Sequence, residues 1–299
     1  MAEIAVPESG GGGGDSLARR ERAQLRGLRT LLRNKAAVFG ILVLLLFAVL
    51  AAAAPLLTSY DPTEQSLSDA FLKPSGAHLL GTDNLGRDIL ARIMYGGRYT
   101  LMIGVLAVSL ATAIGVPLGL ISGYLGGWVD MVIQRIADIM LAFNPFLLAL
   151  LLVAVIGVGL KSVIIAAGFG VVPQFIRLAR GQALSLREEV YVQAADAFGS
   201  KRMTTLRRHI LRNSLTPIVV FATLNIGLTV LVAAGLGFLG LGVQSPTPEW
   251  GTMLGEAREY IFYASYTSTF PGLAIFLVVL GFNLAGDGLR DVLDPSLRA

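Results

Sequence analysis

Cysteine is absent from the 299 residues, and histidine occurs only twice. Without a thiol there are no disulfides, thiolate-held metals, iron–sulfur clusters or cysteine nucleophiles. The absence leaves the redox compartment open. Charge is scarce as well. Asp, Glu, Lys and Arg make up 15% of the chain, against about 25% in an ordinary soluble domain. Hydrophobic residues make up 54%, and the mean hydropathy is +0.69. A water-soluble globule cannot hide that much apolar surface, and a disordered chain would not carry it. The composition implies an all-α integral membrane protein, with a length suited to six crossings of roughly 20 residues each plus loops.

Catalytic patterns are also missing. There is no H-E-x-x-H, no G-x-S-x-G and no G-x-x-x-x-G-K-[ST] phosphate loop. No catalytic residue, metal ligand or resident cofactor is therefore assigned, and the chain is not read as an enzyme. His78 and His209 fall on opposite sides of the expected topology and read as surface histidines. Gly235, Gly237 and Gly240 spell G-x-G-x-x-G, but inside an apolar helix rather than a strand–turn–helix. Close helix packing or a local bend is their expected role.

Six apolar stretches remain: 36–57, 98–122, 136–160, 162–180, 215–242 and 270–288. The first lacks charge, and its length and long polar extension argue against a cleaved signal peptide. Residues 1–18, with Gly10 to Gly14, read as a flexible tail. The third begins as an amphipathic run and turns wholly apolar beyond Pro145. The fourth holds Gly168, Gly170 and Pro173 and is expected to be short and broken. Ionisable residues are nearly absent from the stretch interiors; Asp130, Arg135, Asp138 and Asp287 lie near their ends, and Asn225 and Asn283 are neutral. An ion-coupled carrier would place costly charges at mid-depth, so that class is disfavoured.

Lysine and arginine set the orientation. The 19–35 segment holds Arg19, Arg20, Arg22, Arg26, Arg29, Arg33 and Lys35, and the 177–212 segment holds eight more basic residues. With Arg135, Arg290 and Arg298 this places eighteen on one side, against six on the other. Both termini and the 181–214 loop are expected in the cytoplasm, with 58–97 and 243–269 outside. No nucleic-acid partner is implied, because the net charge of +4 follows the membrane topology.

Ala111, Gly115, Gly119 and Gly123 recur at four-residue spacing, a stripe suited to close helix packing. In 82–93, Asp83–Arg87 and Asp88–Arg92 form i,i+4 pairs on an expected short helix. Asp83, Arg87, Asp88 and Trp250 are candidates for an outer docking surface, Trp250 suiting the interface belt. In the cytoplasmic loop, Tyr191, Ala194, Ala195 and Phe198 share one face of a short helix that Gly199 breaks. Such a helix lies on lipid headgroups or docks into a groove on a soluble partner, and the residues alone leave both open.

The segment V-Y-V-Q-A-A-D-A-F-G (190–199) resembles the "EAA" loop of bacterial ABC-type importer permeases: Ala194, Ala195 and Gly199 match, and Gln193 replaces the glutamate. H-L-L-G-T-D-N-L-G-R-D (78–88), F-L-G-L-G-V-Q-S-P-T-P-E-W-G (238–251) and G-D-G-L-R-D-V-L-D-P (286–295) look like the C-type permease subunits of dipeptide/oligopeptide/nickel importers. R-H-I-L-R-N-S-L-T-P (208–217) does too, with Arg212 where many members carry proline.

The resemblance runs from about residue 25 to 298 and implies the type I ABC importer permease fold, N-in and C-in. The implied organisation is a cytoplasmic tail (1–35), a first crossing (36–57), an outer loop with a short helix (58–97), a five-helix core (98–288) and a cytoplasmic end (289–299). It implies a multi-pass subunit of the bacterial inner membrane that imports di- or oligopeptides, the same role for nickel, glutathione or oligosaccharide being the alternative. The implied partners are a second permease, one or two ATPase subunits that hold the ATP and magnesium, an extracytoplasmic solute-binding protein and the bilayer. Tyr191, Gln193, Ala194, Ala195 and Gly199 would contact the ATPase, and Phe198 would anchor the helix to its own subunit.

Overall fold

A computed structural model describes residues 33–293. The basic residues before Arg33, the 1–18 tail, and Asp294, Pro295 and Arg298 lie outside the described residues.

Helix α1 (Lys35–Leu57) starts at Asn34, whose Oδ1 accepts the Ala37 N–H at 3.2 Å. Leu42, Leu45 and Leu46 are more than half exposed, as a lipid-facing side requires. Pro55 has no N–H to give the Ala51 carbonyl one turn back. Arg98 supplies it, donating through Nε to Ala51 O at 2.6 Å and through Nη2 to Ala52 O at 3.1 Å.

The short helix expected over 82–93 does not form as a separate element. Residues 83–88 make a tight turn in which Asp83 Oδ1 accepts the N–H groups of Leu85 and Arg87 at 2.8 and 3.0 Å. Gly86 takes φ +75° there, a conformation favouring glycine. Asp88 then caps α2 (Ile89–Leu125), accepting the Ala91 N–H at 2.7 Å. The second crossing thus begins nine residues before the apolar run at 98. Because its carboxylate is turned to the helix start, Asp88 does not pair with Arg92; it meets His78 Nδ1 at 2.9 Å. His78 is accordingly half-buried rather than a free surface histidine.

The third stretch is two helices, α3 (Gly127–Leu141) and α4 (Pro145–Ile156), bent by 90° at the intervening residues. Asn144 caps α4 and Pro145 opens it, so the bend has a local cause. The fourth stretch is not short or broken: α5 (Leu160–Arg187) runs unbroken for 28 residues. Its glycines admit neighbours instead. A Cβ at Gly168 would stand 2.8 Å from Ala107 O of α2, and one at Gly170 would stand 3.0 Å from Pro145 O of α4.

After α5 come the short α6 (Val190–Ala197) and the long α7 (Arg202–Phe238), whose residues Leu206–Leu211 form a π-helical turn. A loop holding α8 (Trp250–Ala257) leads to α9 (Tyr266–Leu293). Among the described residues, five helices are long and apolar enough to cross a membrane, or six if the bent α3–α4 pair forms one span. All described regular structure is helical apart from one isolated bridge between Thr82 and Asp88. Asn34 Nδ2 donates to Asp291 Oδ2 at 3.0 Å, so α1 starts where α9 ends. Three apolar clusters join the crossings, the largest built on Val116, Leu120, Val172, Phe175 and Ile176 between α2 and α5.

Candidate functional site

Two ends of the bundle carry the residues singled out from sequence. At the loop end, Arg87 and Arg92 are buried, with side chains 0% and 1% exposed. Glu256 of α8 bridges them at 2.8 and 3.1 Å. Asp83 completes the cluster at 2.6 Å from Arg87. Trp250 is fully buried and donates through Nε1 to Ile93 O at 2.9 Å, with the Phe47 ring edge-on at 5.4 Å. Gly96 and Gly97 give its indole room.

The docking-surface expectation is therefore corrected. Arg87, Asp88 and Trp250 lie inside: Arg87 is held by the carboxylates of Asp83 and Glu256, Asp88 is turned to the α2 start, and the Trp250 indole packs against α2 and donates to Ile93 O; only Asp83 is partly open. Glu249 and Glu256, which sequence reasoning passed over, are the acids that organise this end. Glu249 caps α8, accepting the Gly251 and Thr252 N–H groups at 3.0 and 2.9 Å and the Thr100 hydroxyl at 3.2 Å. Burial pushes its carboxyl above the ordinary glutamate value, with the two backbone N–H bonds opposing. The one available signal was adverse: Arg87 and Arg92 near one apolar helix start demand counter-charges from elsewhere.

The G-x-G-x-x-G residues divide by role. Gly235 lies against the Phe146 ring and Gly237 against Glu249 Oε2 and Gly251, while Gly240, at φ +77°, follows the end of α7. The stripe on α2 faces α5. A Cβ at Gly115 would meet Phe175 Cβ at 2.6 Å and Val172 O at 2.8 Å; one at Gly123 would meet Arg180 O at 2.6 Å. At Gly119 it would collide with Ile176 O. The carbonyls of Val172, Ile176 and Arg180 thus ride over the glycines one turn apart, leaving no open path along the stripe. Near its end Arg180 grips Asp130 bidentately at 2.6 and 2.7 Å, and Arg177 pairs with Asp138 at 2.7 Å.

Helix α6 stands at the opposite end. Val192 is its single buried residue. Asp196 accepts the Tyr124 hydroxyl of α2 at 2.9 Å and the Thr205 hydroxyl of α7 at 3.2 Å. Tyr191 Oη accepts from Asn213 Nδ2 at 2.9 Å, and its ring lies 6.1 Å from that of His209. Gln193 Nε2 donates to Glu188 O at 3.1 Å. Ala194 and Ala195 are half-buried, and Gly199 closes the helix at φ +76°, with Ser200 N donating to Ala195 O at 3.0 Å. Phe198 does not anchor the helix: it is 92% exposed. The buried position is Val192, one turn ahead of Asp196, so the inward side of α6 is the 192/196 side and Phe198 points away.

Comparison with known proteins fits this architecture. Residues 115–299 match the family described as binding-protein-dependent transport system inner membrane component. Residues 26–74 match the N-terminal transmembrane domain of oligopeptide transport permease C. The dipeptide transport system permease protein DppC of Alkalihalophilus pseudofirmus is 50% identical over 91% of this chain and 89% of its own. The glutathione transport system permease protein GsiD of Pectobacterium atrosepticum is 46% identical over 91% and 90%. The probable D,D-dipeptide permease DdpC of Escherichia coli is 43% identical over 87% of each. An inward-facing structure of the MetNI methionine ABC transporter shares the fold, with a TM-score of 0.54 and 19% identity over 67% of this chain and 96% of that one. With both family and fold matched over most of its length, the chain belongs to the inner-membrane components of binding-protein-dependent transport systems, as a multi-pass ABC importer permease subunit.

Proposed function

We propose that this permease imports di- and oligopeptides and is driven by ATPase subunits that grip α6. The observation that carries the coupling reading is the state of α6: an eight-residue helix held by one buried valine, with Val190, Tyr191 and Phe198 open beside it. The peptide reading is supported by relatives named for dipeptides and for glutathione, itself a tripeptide. The basic bias of the α6 end supports a cytoplasmic position for it and for both termini. The loop end then faces a solute-binding protein, and a second permease subunit completes the path.

Switching a pore from 1:99 to 99:1 takes about 5.5 kcal/mol. No nucleotide-binding motif in this sequence supplies it, so it arrives by contact, with ATP and magnesium on the partner ATPases. In this reading Tyr191, Gln193, Ala194, Ala195 and Gly199 form the contact. The small residues allow close approach, and Gly199 fixes where the helix stops. Ala195→Arg is expected to insert in the membrane normally, lose ATPase co-purification and abolish peptide uptake in proteoliposomes. Full uptake by that variant refutes the coupling assignment. Uptake by this chain alone, driven by an ion gradient without ATP, would make it a secondary carrier instead.

A further inference from the structure

The start of α7 carries cations that nothing in the described chain neutralises. Lys201, Arg202, Arg207, Arg208 and Arg212 are all exposed. None of them forms a salt bridge among the described residues. Asp196 is engaged with Tyr124 and Thr205, and Glu188 with Arg187, while Glu189 at the α6 start pairs with none of these cations. Within this patch Met203, Thr204, Arg207, Arg208 and Arg212 line a groove of about 520 Å³. The π-helical turn at Leu206–Leu211 runs through it. Met203 and Arg207, and Thr204, Arg208 and Arg212, recur at four-residue spacing, so they line one face of the helix.

Beyond the groove the same helical face enters the membrane-spanning part. Leu215 and Val219, at i+3 and i+7 from Arg212, lie on the same helical face and are 48% and 47% exposed. A cationic pocket that passes directly into an exposed apolar strip matches an amphiphile with a negative head and a hydrocarbon tail. An acidic protein surface could meet the arginines but could not follow Leu215 and Val219 into hydrocarbon. Clusters of four to eight basic residues at the end of a membrane helix attract anionic lipid headgroups, and arginine holds phosphate with two parallel donors.

We propose that this groove binds the phosphate headgroup of an anionic phospholipid, held by Arg207, Arg208 and Arg212, with an acyl chain lying along Leu215 and Val219. The site sits at the base of α7, beside the Asn213 and Thr205 contacts of α6, so an occupied groove also braces that junction. The reading does not depend on α6 touching an ATPase.

The test uses the full-length permease in nanodiscs of phosphatidylcholine containing one quarter phosphatidylglycerol, with retained phosphatidylglycerol counted by native mass spectrometry. Arg208→Gln combined with Arg212→Gln is compared with Arg135→Gln combined with Arg290→Gln, which removes the same charge outside the groove. Each basic residue near an anionic surface contributes about fivefold in affinity. The groove pair is therefore expected to weaken phosphatidylglycerol retention roughly 30-fold, and the control pair far less. Arg208→Lys with Arg212→Lys, which keeps both charges, is expected to retain most of the binding and shows that the region still folds. Equal losses in the groove and control pairs would reduce the effect to general surface charge and overturn the site. Unchanged lipid retention accompanied by loss of ATPase co-purification would also overturn it, assigning the groove to a protein partner.

Discussion

Replacing Gly115 with alanine tests the α2–α5 contact directly. The new Cβ would stand 2.6 Å from Phe175 Cβ and 2.8 Å from Val172 O, whereas ordinary contact begins at 3.4 Å. The two helices must therefore part by about 0.8 Å at this level, the difference between 3.4 and 2.6 Å. The obstruction includes a helix carbonyl, which cannot swing aside as a side-chain tip can. Val172, Phe175 and Ile176, all 3% exposed or less, lose contact as the gap opens. Overpacking of this kind costs about 1–3 kcal/mol, and a backbone obstacle puts it at the upper end. Alanine regains about 1 kcal/mol of helix propensity, leaving a net loss of about 2 kcal/mol. Gly181 supplies the control, since it lies in α5, exposed, with nothing within 4 Å of an added Cβ. There the same substitution is expected to stabilise by up to about 1 kcal/mol. At about 2 °C per kcal/mol for a chain of this size, fluorescence-detected unfolding in one detergent should show Tm falling about 4 °C for Gly115→Ala and rising about 2 °C for Gly181→Ala. A Tm for Gly115→Ala at or above the parent, or shifts of the same sign in both variants, would refute the packing argument.

Two further outcomes are expected. Val192→Ala should loosen α6 by about 1–2 kcal/mol, since it removes two buried methyl groups. Phe198→Ala, at a 92% exposed position, should change stability by less than about 0.5 kcal/mol; faster proteolysis within 188–201 in the first variant only is the readout. For Glu249, the raised carboxyl value means that the folded state holds its proton more tightly than the unfolded chain does. That contribution is fully present below the ordinary glutamate range and is lost as pH rises through the raised folded value. Thermal unfolding of parent and Glu249→Gln should therefore show the parent gaining on the variant as pH is lowered from 7 toward 5, and a pH-independent difference would contradict it.

The crossings were legible because a bilayer forces length and apolarity on any spanning segment, and the stripe at Gly115, Gly119 and Gly123 because helical periodicity puts those positions on one face. The fourth crossing was misread for a physical reason. Glycine marks a weak helix and a close approach equally well, and what Gly168 approaches is Ala107, far away in sequence. The loop end failed for a related reason. Arg92 and Glu256 are 164 residues apart, so local patterning offered i,i+4 partners where the fold supplies a distant one. On α6, eight residues give barely two turns, too few for periodicity to separate Val192 from Phe198 as the buried position. Local composition predicts which segments exist; which polar or apolar side is covered depends on chain that is distant in sequence.

The difference between the two ends bears on how a force at α6 would act. At the loop end, α8 is locked to α2 through buried groups: Glu256 on two arginines and Trp250 on Ile93 O. Removing one partner there strands a buried charge, which costs several kcal/mol. Helix α6 instead buries one valine and meets α2 and α7 through exposed or part-buried hydrogen bonds, at Tyr124, Thr205 and Asn213, and bonds of this kind contribute about 1 kcal/mol each. A pull of the size needed to switch a pore would tear α6 free before it moved the helices if those bonds bore it alone. A push would bear on the buried Val192 side of α6 and ask nothing of the weak bonds except register. In the proposed coupling, a lever built this way would work in compression. Variants that cut the tethers, such as Tyr124→Phe, should then leave transport substantially intact, whereas Val192→Ala impairs it.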